Sequence, residues 1–264
     1  MHPTWKGSIS FGLVNIPVSL YTASEERELT FHLLHKRDRS PIRFARMCRA
    51  ENHEVPNDEI VKGFEYKKGE FVILDEEDFV HANIKKSKSI EIFEFVDEEE
   101  IEPKYYEKPY FIEPDKSDKA YAILREALKR TKKVGVAKFV LQHKEQLGIV
   151  RAEGDLLMLL QVRFPEELRK PAGLDIPGQK QVSEKEVRVA VQLIEKQAGA
   201  FHPAKYHDEY SKELRALIQK KAKGKRVHVK GVEPMPTKTS DLMAELARSL
   251  RKAPPRRSRR YARA

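Results

Sequence analysis

Cysteine is almost absent from these 264 residues: Cys48 stands alone. An internal disulfide is thereby excluded, and a reducing compartment is expected. Long apolar runs are missing as well. No stretch of 18 apolar residues occurs, so no membrane partner or membrane-spanning helix is expected. The opening MHPTWKG lacks the apolar segment of a secretory signal, and a cytoplasmic location is the expectation. Catalytic signatures are equally scarce. There is no GxxxxGK[ST], no HExxH and no GxGxxG opening a helix. A KxDG segment, which would mark an adenylated lysine, is also missing. The nine histidines lie scattered, without acid or nucleophile spacing. These absences leave binding, not catalysis, as the function class, with no cofactor and no catalytic residue expected.

What the chain has is charge. Charged residues make up 35% and apolar ones 40%, a balance that implies an elongated shape, a solvated tail, or both. The length suits one large domain or two modest ones. The net charge of +10 is unevenly placed. Residues 219–264 hold fifteen Lys or Arg against three acids, +12 in all, which leaves about −2 for residues 1–218. A polyanion partner is implied, and the front of the chain must segregate its cations onto one surface to meet it.

The stretch from Trp5 to Tyr21, WKGSISFGLVNIPVSLY, alternates apolar and polar residues with period two. It predicts a strand pair in which Ile9, Phe11 and Leu13, then Val14, Ile16, Val18 and Leu20, carry the apolar face. The phase slip at Gly12 predicts a bulge or sharp bend. A basic segment follows at 32–49. Lys36, Arg37, Arg39, Arg43, Arg46 and Arg49 face one acid, Asp38, and apolar residues are interleaved with them. Two readings stand: a solvated edge strand or hairpin guarded by charge, or an arm that tracks phosphates without reading bases. Cys48, Glu51 and His53 are too few and too poorly spaced for a closed zinc site, so no metal is expected and Cys48 reads as a small core residue.

Residues 60–112 read as β structure, with a hairpin turning at Gly69 and a short helix capped by Asp75. The acid run 97–102 reads as a solvated loop, and a metal-dependent nuclease built on it is the remotest reading, because no positioned base or nucleophile accompanies it. Pro114 and Asp115 precede a helix that runs to about Arg130 and presents Tyr121, Leu124 and Leu128 on one face. Strands at 134–141, 147–150 and 156–164 follow. Ser183 and Glu186 form a capping box for a helix striped by Val187, Val191, Ile194 and Ala198. A further helix is expected from Pro203, with Tyr206 and Tyr210 as core or interface anchors.

After Gly224 a proline-bearing linker leads to 241–250, DLMAELARSL. Leu242, Met243, Leu246 and Leu250 lie near one face there, and Ser240 is placed to cap it. So short a helix must dock on something, either its own protein or a partner's groove. Beyond it, residues 253–264 carry Arg256, Arg257, Arg259, Arg260 and Arg263 with no acid. That composition predicts a disordered tail that binds nucleic acid without sequence preference.

The Trp5–Tyr21 segment resembles the opening of the bacterial Ku proteins, the DNA-end-binding factors of non-homologous end joining. DEIVKGFEY at 58–66, KAYAILREAL at 119–128, VSEKE at 182–186 and KYHDEY at 205–210 are similar to that family too, so the resemblance spans roughly residues 4–250. It departs where many family members have C-x-x-C-G, since Glu51 takes the second cysteine's place. The resemblance implies an α+β fold: a Ku-type β-barrel core with an inserted DNA-encircling arm, C-terminal helices and a basic tail. It divides the chain into a core (1–230), a linker with a short partner-binding helix (231–252) and an Arg-rich tail (253–264). It implies a non-enzymatic, nucleoid-associated homodimer on linear double-stranded DNA ends. It further implies that a multifunctional ATP-dependent DNA ligase is recruited through Leu242, Met243, Leu246 and Leu250. The resemblance favours the arm over the edge strand for residues 32–49. A basic, tail-driven nucleic-acid-binding or chaperone protein without end specificity is the competing reading.

Overall fold

Alternation at the start of the chain produces a tight hairpin. In the computed structural model, which describes residues 1–25, 27–83, 88–142, 144–178, 182–224 and 242–252, β1 (Trp5–Phe11) pairs antiparallel with β2 (Val14–Thr22) from Trp5 opposite Leu20 to Phe11 opposite Val14. The phase slip is the two-residue turn between them, where Gly12 takes φ +57°, a conformation glycine adopts at no steric cost. The expectation for Leu13 is corrected. It sits at the turn tip, outside both strands, and is fully exposed. Ile9, Ile16, Val18 and Leu20 point inward and are buried.

The chain divides into two compact units, Met1–Lys170 and Pro171–Ala264. In the first, β3 (Lys62–Lys67) and β4 (Glu70–Leu74) form a separate two-stranded ribbon, followed by α1 (Glu76–Asn83). Asp75 does cap α1: its Oδ1 accepts from Asp78 N–H at 2.9 Å, and Asp75 N–H donates in return to Asp78 Oδ2 at 3.0 Å. Then come β5 (Ser89–Asp97), β6 (Tyr106–Pro114), α2 (Asp118–Thr131), β7 (Lys133–Leu141), β8 (Lys144–Glu153) and β9 (Leu156–Val162). Seven strands close into a barrel in the order β1-β2-β6-β9-β8-β7-β5. Every pairing is antiparallel except the closing one, where Ser8, Ile9 and Ser10 run parallel to Ser89, Ile90 and Glu91. Fold class and the barrel are as expected.

The barrel interior is one cluster in which Ile9, Ile16, Leu20, Ile90, Phe139, Val150, Leu157 and Leu159 are buried. Each such side chain contributes about 1.5–3 kcal/mol by leaving water. Packing is close enough that a Cβ on Gly148 would sit 2.7 Å from Leu159 Cδ1 and 3.0 Å from Phe139 Cε1. The α2 helix covers β7 and β8 with its predicted face, Tyr121, Leu124 and Leu128, all buried. Tyr121 also carries a polar clamp. Its hydroxyl donates to the Ile112 carbonyl at 2.8 Å and accepts from Leu157 N–H at 2.7 Å. Burial pushes its phenol pKa up, and the Leu157 hydrogen bond opposes that.

The second unit has α3 (Glu184–Gln197), α4 (Glu209–Ala222) and α5 (Leu242–Lys252). Ser183 and Glu186 form the capping box as expected. Two expectations are corrected. The stripe Val187, Val191 and Ile194 is exposed, while Val189, Ala190 and Leu193 are half-buried. Alternating valines give α3 apolar residues on two faces, and α5, which packs along it, covers the second. Pro203 opens only a single 3-10 turn ending at Lys205, and α4 starts later, capped by Asp208. Tyr206 thus precedes the helix; it stacks on Phe201, and both it and Tyr210 are exposed. No described residue of this unit is fully buried.

Tyr121→Phe removes both partners' hydrogen bonds while keeping the ring. It is expected to lower unfolding free energy by about 1–3 kcal/mol, because a buried amide and carbonyl lose a partner. Urea unfolding followed by circular dichroism measures it.

Candidate nucleic-acid interface

The predicted basic residues lie in a segment that the barrel does not absorb. Residues 23–88 leave at the end of β2 and return at the start of β5, the two strands that flank β1. No described residue between 23 and 79 is buried. The sequence therefore has to hold its shape locally, and it does so twice in the same way.

In the first turn Leu34 bridges Pro41, His35 N–H donates to Ser40 O at 2.8 Å, and Arg39 N–H donates to His35 O at 2.8 Å. Thirteen residues on, Met47 bridges Glu54, Cys48 N–H donates to His53 O at 2.9 Å, and Asn52 N–H donates to Cys48 O at 2.9 Å. The outer bonds repeat as well: Ile42 N–H to Leu33 O at 3.0 Å, and Val55 N–H to Arg46 O at 2.7 Å. Arg39 and Asn52 occupy the equivalent left-handed position, at φ +62° and +53°. Each hairpin is further pinned by a histidine and a carboxylate, His35 Nδ1 with Asp38 Oδ1 at 3.0 Å and His53 Nδ1 with Glu51 Oε2 at 3.2 Å. Hydrogen bonds from Ser40 N–H and from His35 hold the Asp38 carboxyl below its ordinary range.

This duplication sorts the six candidate cations, all of them exposed. Lys36 and Arg37 occupy the first turn tip and Arg49 the second, with Arg39 at the left-handed position beside the first. None of these four has an ion pair among the described residues. Arg43, on the link, and Arg46, at the base of the second hairpin, are engaged differently. Arg43 Nη2 lies 3.3 Å from Glu54 Oε2, and Arg46 Nη1 donates to Asn57 Oδ1. The turn tips present free charge; Arg43 and Arg46 brace the arm. The sequence gives only a faint sign of this: HKRDRSP and CRAENHE share no identical residue at equivalent positions, although a cation (Lys36, Arg49) and a carboxylate (Asp38, Glu51) recur thirteen residues apart.

Cys48 is half-buried in the second hairpin and takes no part in the barrel core, which corrects its reading as a core residue. Among the described residues no three His, Cys, Asp or Glu side chains are grouped to hold a metal ion. The acid run is a largely exposed turn after β5, as expected, and three of its five carboxylates are paired on the surface: Asp97 with Lys133 at 2.8 Å, Glu98 with Arg151, and Glu102 with Lys104 at 2.8 Å.

Beyond the arm, the ribbon of β3 and β4 exposes apolar side chains on both faces, Phe64, Tyr66 and Val72 on one, Phe71 and Ile73 on the other. On α5, Met243, Leu246 and Leu250 are half-buried and Leu242 is exposed. Lys196 Nζ of α3 donates to Leu250 O at 2.7 Å. Arg256, Arg257, Arg259 and Arg260, with the linker and Ser240, lie outside the described residues. No described helix is long and apolar enough to cross a membrane.

Comparison with known proteins places this arrangement. Residues 10–189 match the family model described as the Ku70/Ku80 beta-barrel domain. A non-homologous end joining protein Ku from Opitutus terrae is 41% identical over 95% of this chain and 91% of its own length. The protein of the same name from Bacillus subtilis is 40% identical over 87% of this chain and 75% of its own. That from Archaeoglobus fulgidus is 40% identical over 93% and 98%.

The sorting of the cations has a direct consequence for any polyanion the arm meets. Replacing Lys36, Arg37 and Arg49 together by Ala should flatten the slope of log K against log salt by about 0.9 for each phosphate the arm then ceases to neutralise. Arg43→Ala should leave the slope unchanged. Fluorescence anisotropy on a short duplex at a series of salt concentrations reads both.

Proposed function

The chain belongs to the Ku family, and from that membership we propose that it binds the ends of double-stranded DNA as a homodimeric ring, without reading sequence, in non-homologous end joining. The observation that carries this reading is the arm. It is anchored at both ends on the barrel, buries none of its described residues between 23 and 79, and offers unpaired cations at its turn tips. Phosphate contacts of this kind position a duplex and carry no base information.

Charge explains why a ring is needed. Residues 1–218 have no net positive charge, so bulk attraction does not hold DNA there. A closed ring holds a duplex by topology and needs only local phosphate contacts. Selectivity for ends follows, because a ring loads only where the duplex stops. The two-faced apolar ribbon of β3 and β4 supports self-association, since exposed clusters of that kind mark protein contacts. Two chains meeting through such surfaces would close the arms around the DNA. Within the division into a core (1–230), a linker with helix (231–252) and a tail (253–264), Arg256, Arg257, Arg259 and Arg260 add non-specific affinity. In the finer reading, Leu242, Met243, Leu246 and Leu250 of α5 engage an ATP-dependent DNA ligase and stimulate it.

Two experiments test these statements separately. One duplex is offered as an open linear piece and as a ligated minicircle of identical sequence, at near-physiological salt. Binding to the linear form alone is expected; equal binding to both would remove the ring and leave a general polyanion binder. Leu242→Asp with Leu246→Asp should abolish ligase stimulation and leave linear-duplex binding intact. Loss of both would instead make α5 a structural helix.

A further inference from the structure

The face of α5 that a partner would use is already in use. An isolated helix as short as α5, 11 residues, is marginal in water, and what holds it here is α3. The two helices pack along one another, and each has half-buried apolar residues at helical spacing, Val189, Ala190 and Leu193 on α3 and Met243, Leu246, Ala247 and Leu250 on α5. Lys196 completes the pairing: the ammonium sits on the Leu250 carbonyl at 2.7 Å. There it satisfies one of the orphan acceptors at the helix end and opposes the negative end of the helix dipole. Yet no described residue of either helix is fully buried, so the pairing is shallow and buries little apolar surface.

Resting on the reading of α5 as the ligase-binding helix, we propose that α3 is its intramolecular competitor. In the free protein α3 keeps α5 folded and its apolar face covered. The ligase captures α5 only when that face is released, and its groove then replaces α3. Two consequences follow. The apparent affinity for ligase is lowered by the fraction of chains in which α5 is released. The partner also receives a helix whose ordering α3 had maintained, and α3 in turn uncovers Val189, Ala190 and Leu193. Recruitment is then regulated by whatever shifts the α3–α5 equilibrium, without any change in the barrel or the arm.

The test uses the full chain, hydrogen exchange along α5 and titration with the ATP-dependent ligase. In the unsubstituted protein the α5 amides should be protected. Leu193→Asp should remove that protection and tighten ligase binding by about tenfold. Lys196→Ala, a milder change that removes only the hydrogen bond to Leu250 O, should move both in the same direction by about twofold. Unchanged barrel protection and linear-duplex binding in both variants show that the rest of the chain is folded. Unprotected α5 amides in the unsubstituted protein would overturn the competitor. So would loss of protection with ligase binding unchanged or weakened, which would mean that α3 and α5 are read together. The Leu242→Asp, Leu246→Asp double variant in the same titration separates the two claims: if it binds ligase normally, the recruiting role of α5 has failed, independently of its pairing with α3.

Discussion

The rest of the first unit depends on the closing pair of the barrel. A parallel match between Ser8–Ser10 and Ser89–Glu91 joins the first strand to one that lies about eighty positions later in the chain. Because β2 already occupies the other side of β1, the segment between β2 and β5 must leave the barrel and come back across β1. It has no free end. Loop closure of this length is costly in entropy, though the cost grows only slowly with length. The buried cluster of Ile9, Ile16, Leu20, Ile90 and Phe139 offsets it. A long excursion without a core is thus tolerated because both of its roots are held in a well-packed one.

That arrangement separates stability from binding. The barrel supplies burial, the Tyr121 clamp and close packing around Gly148. The arm supplies exposed cations on turns that are stable by their own short-range hydrogen bonds. A protein that must accept any DNA sequence gains from this division, since phosphate contacts need charge in roughly the right place and not a fitted surface. On the proposed reading the same logic covers the unequal charge along the chain: cations concentrated in residues 219–264 would add attraction of low specificity, and those at the arm's turn tips would act where the duplex passes.

Much of the barrel was legible from periodicity. The hairpin at the start of the chain, the α2 face, the turn at Gly69 and the Asp75 and Ser183 caps all rest on local rules that the tertiary structure did not override. Where two local solutions were available, sequence alone chose wrongly. Leu13 fits an apolar face until a two-residue turn removes it from both strands, and α3 carries two valine-rich faces whose use is decided by α5. The basic run marked the segment, but its internal duplication was not legible, because what repeats is the backbone hydrogen bonding and the left-handed positions, with no identical residue and only the charge types at 36/49 and 38/51 in common. Which cations are free and which are braced followed only from that geometry.

The duplicated turns also set how the arm yields under load. The backbone hydrogen bonds of the first hairpin close by residue 42, and those of the second begin at residue 46. Residues 43–45 between them take part in no backbone hydrogen bond among the described residues. Bending there strains no turn, and the tie that spans the bend is the exposed pair of Arg43 and Glu54. Within this duplicated pair the two hairpins are stiff links joined at 43–45, so one can tilt against the other while each keeps its shape.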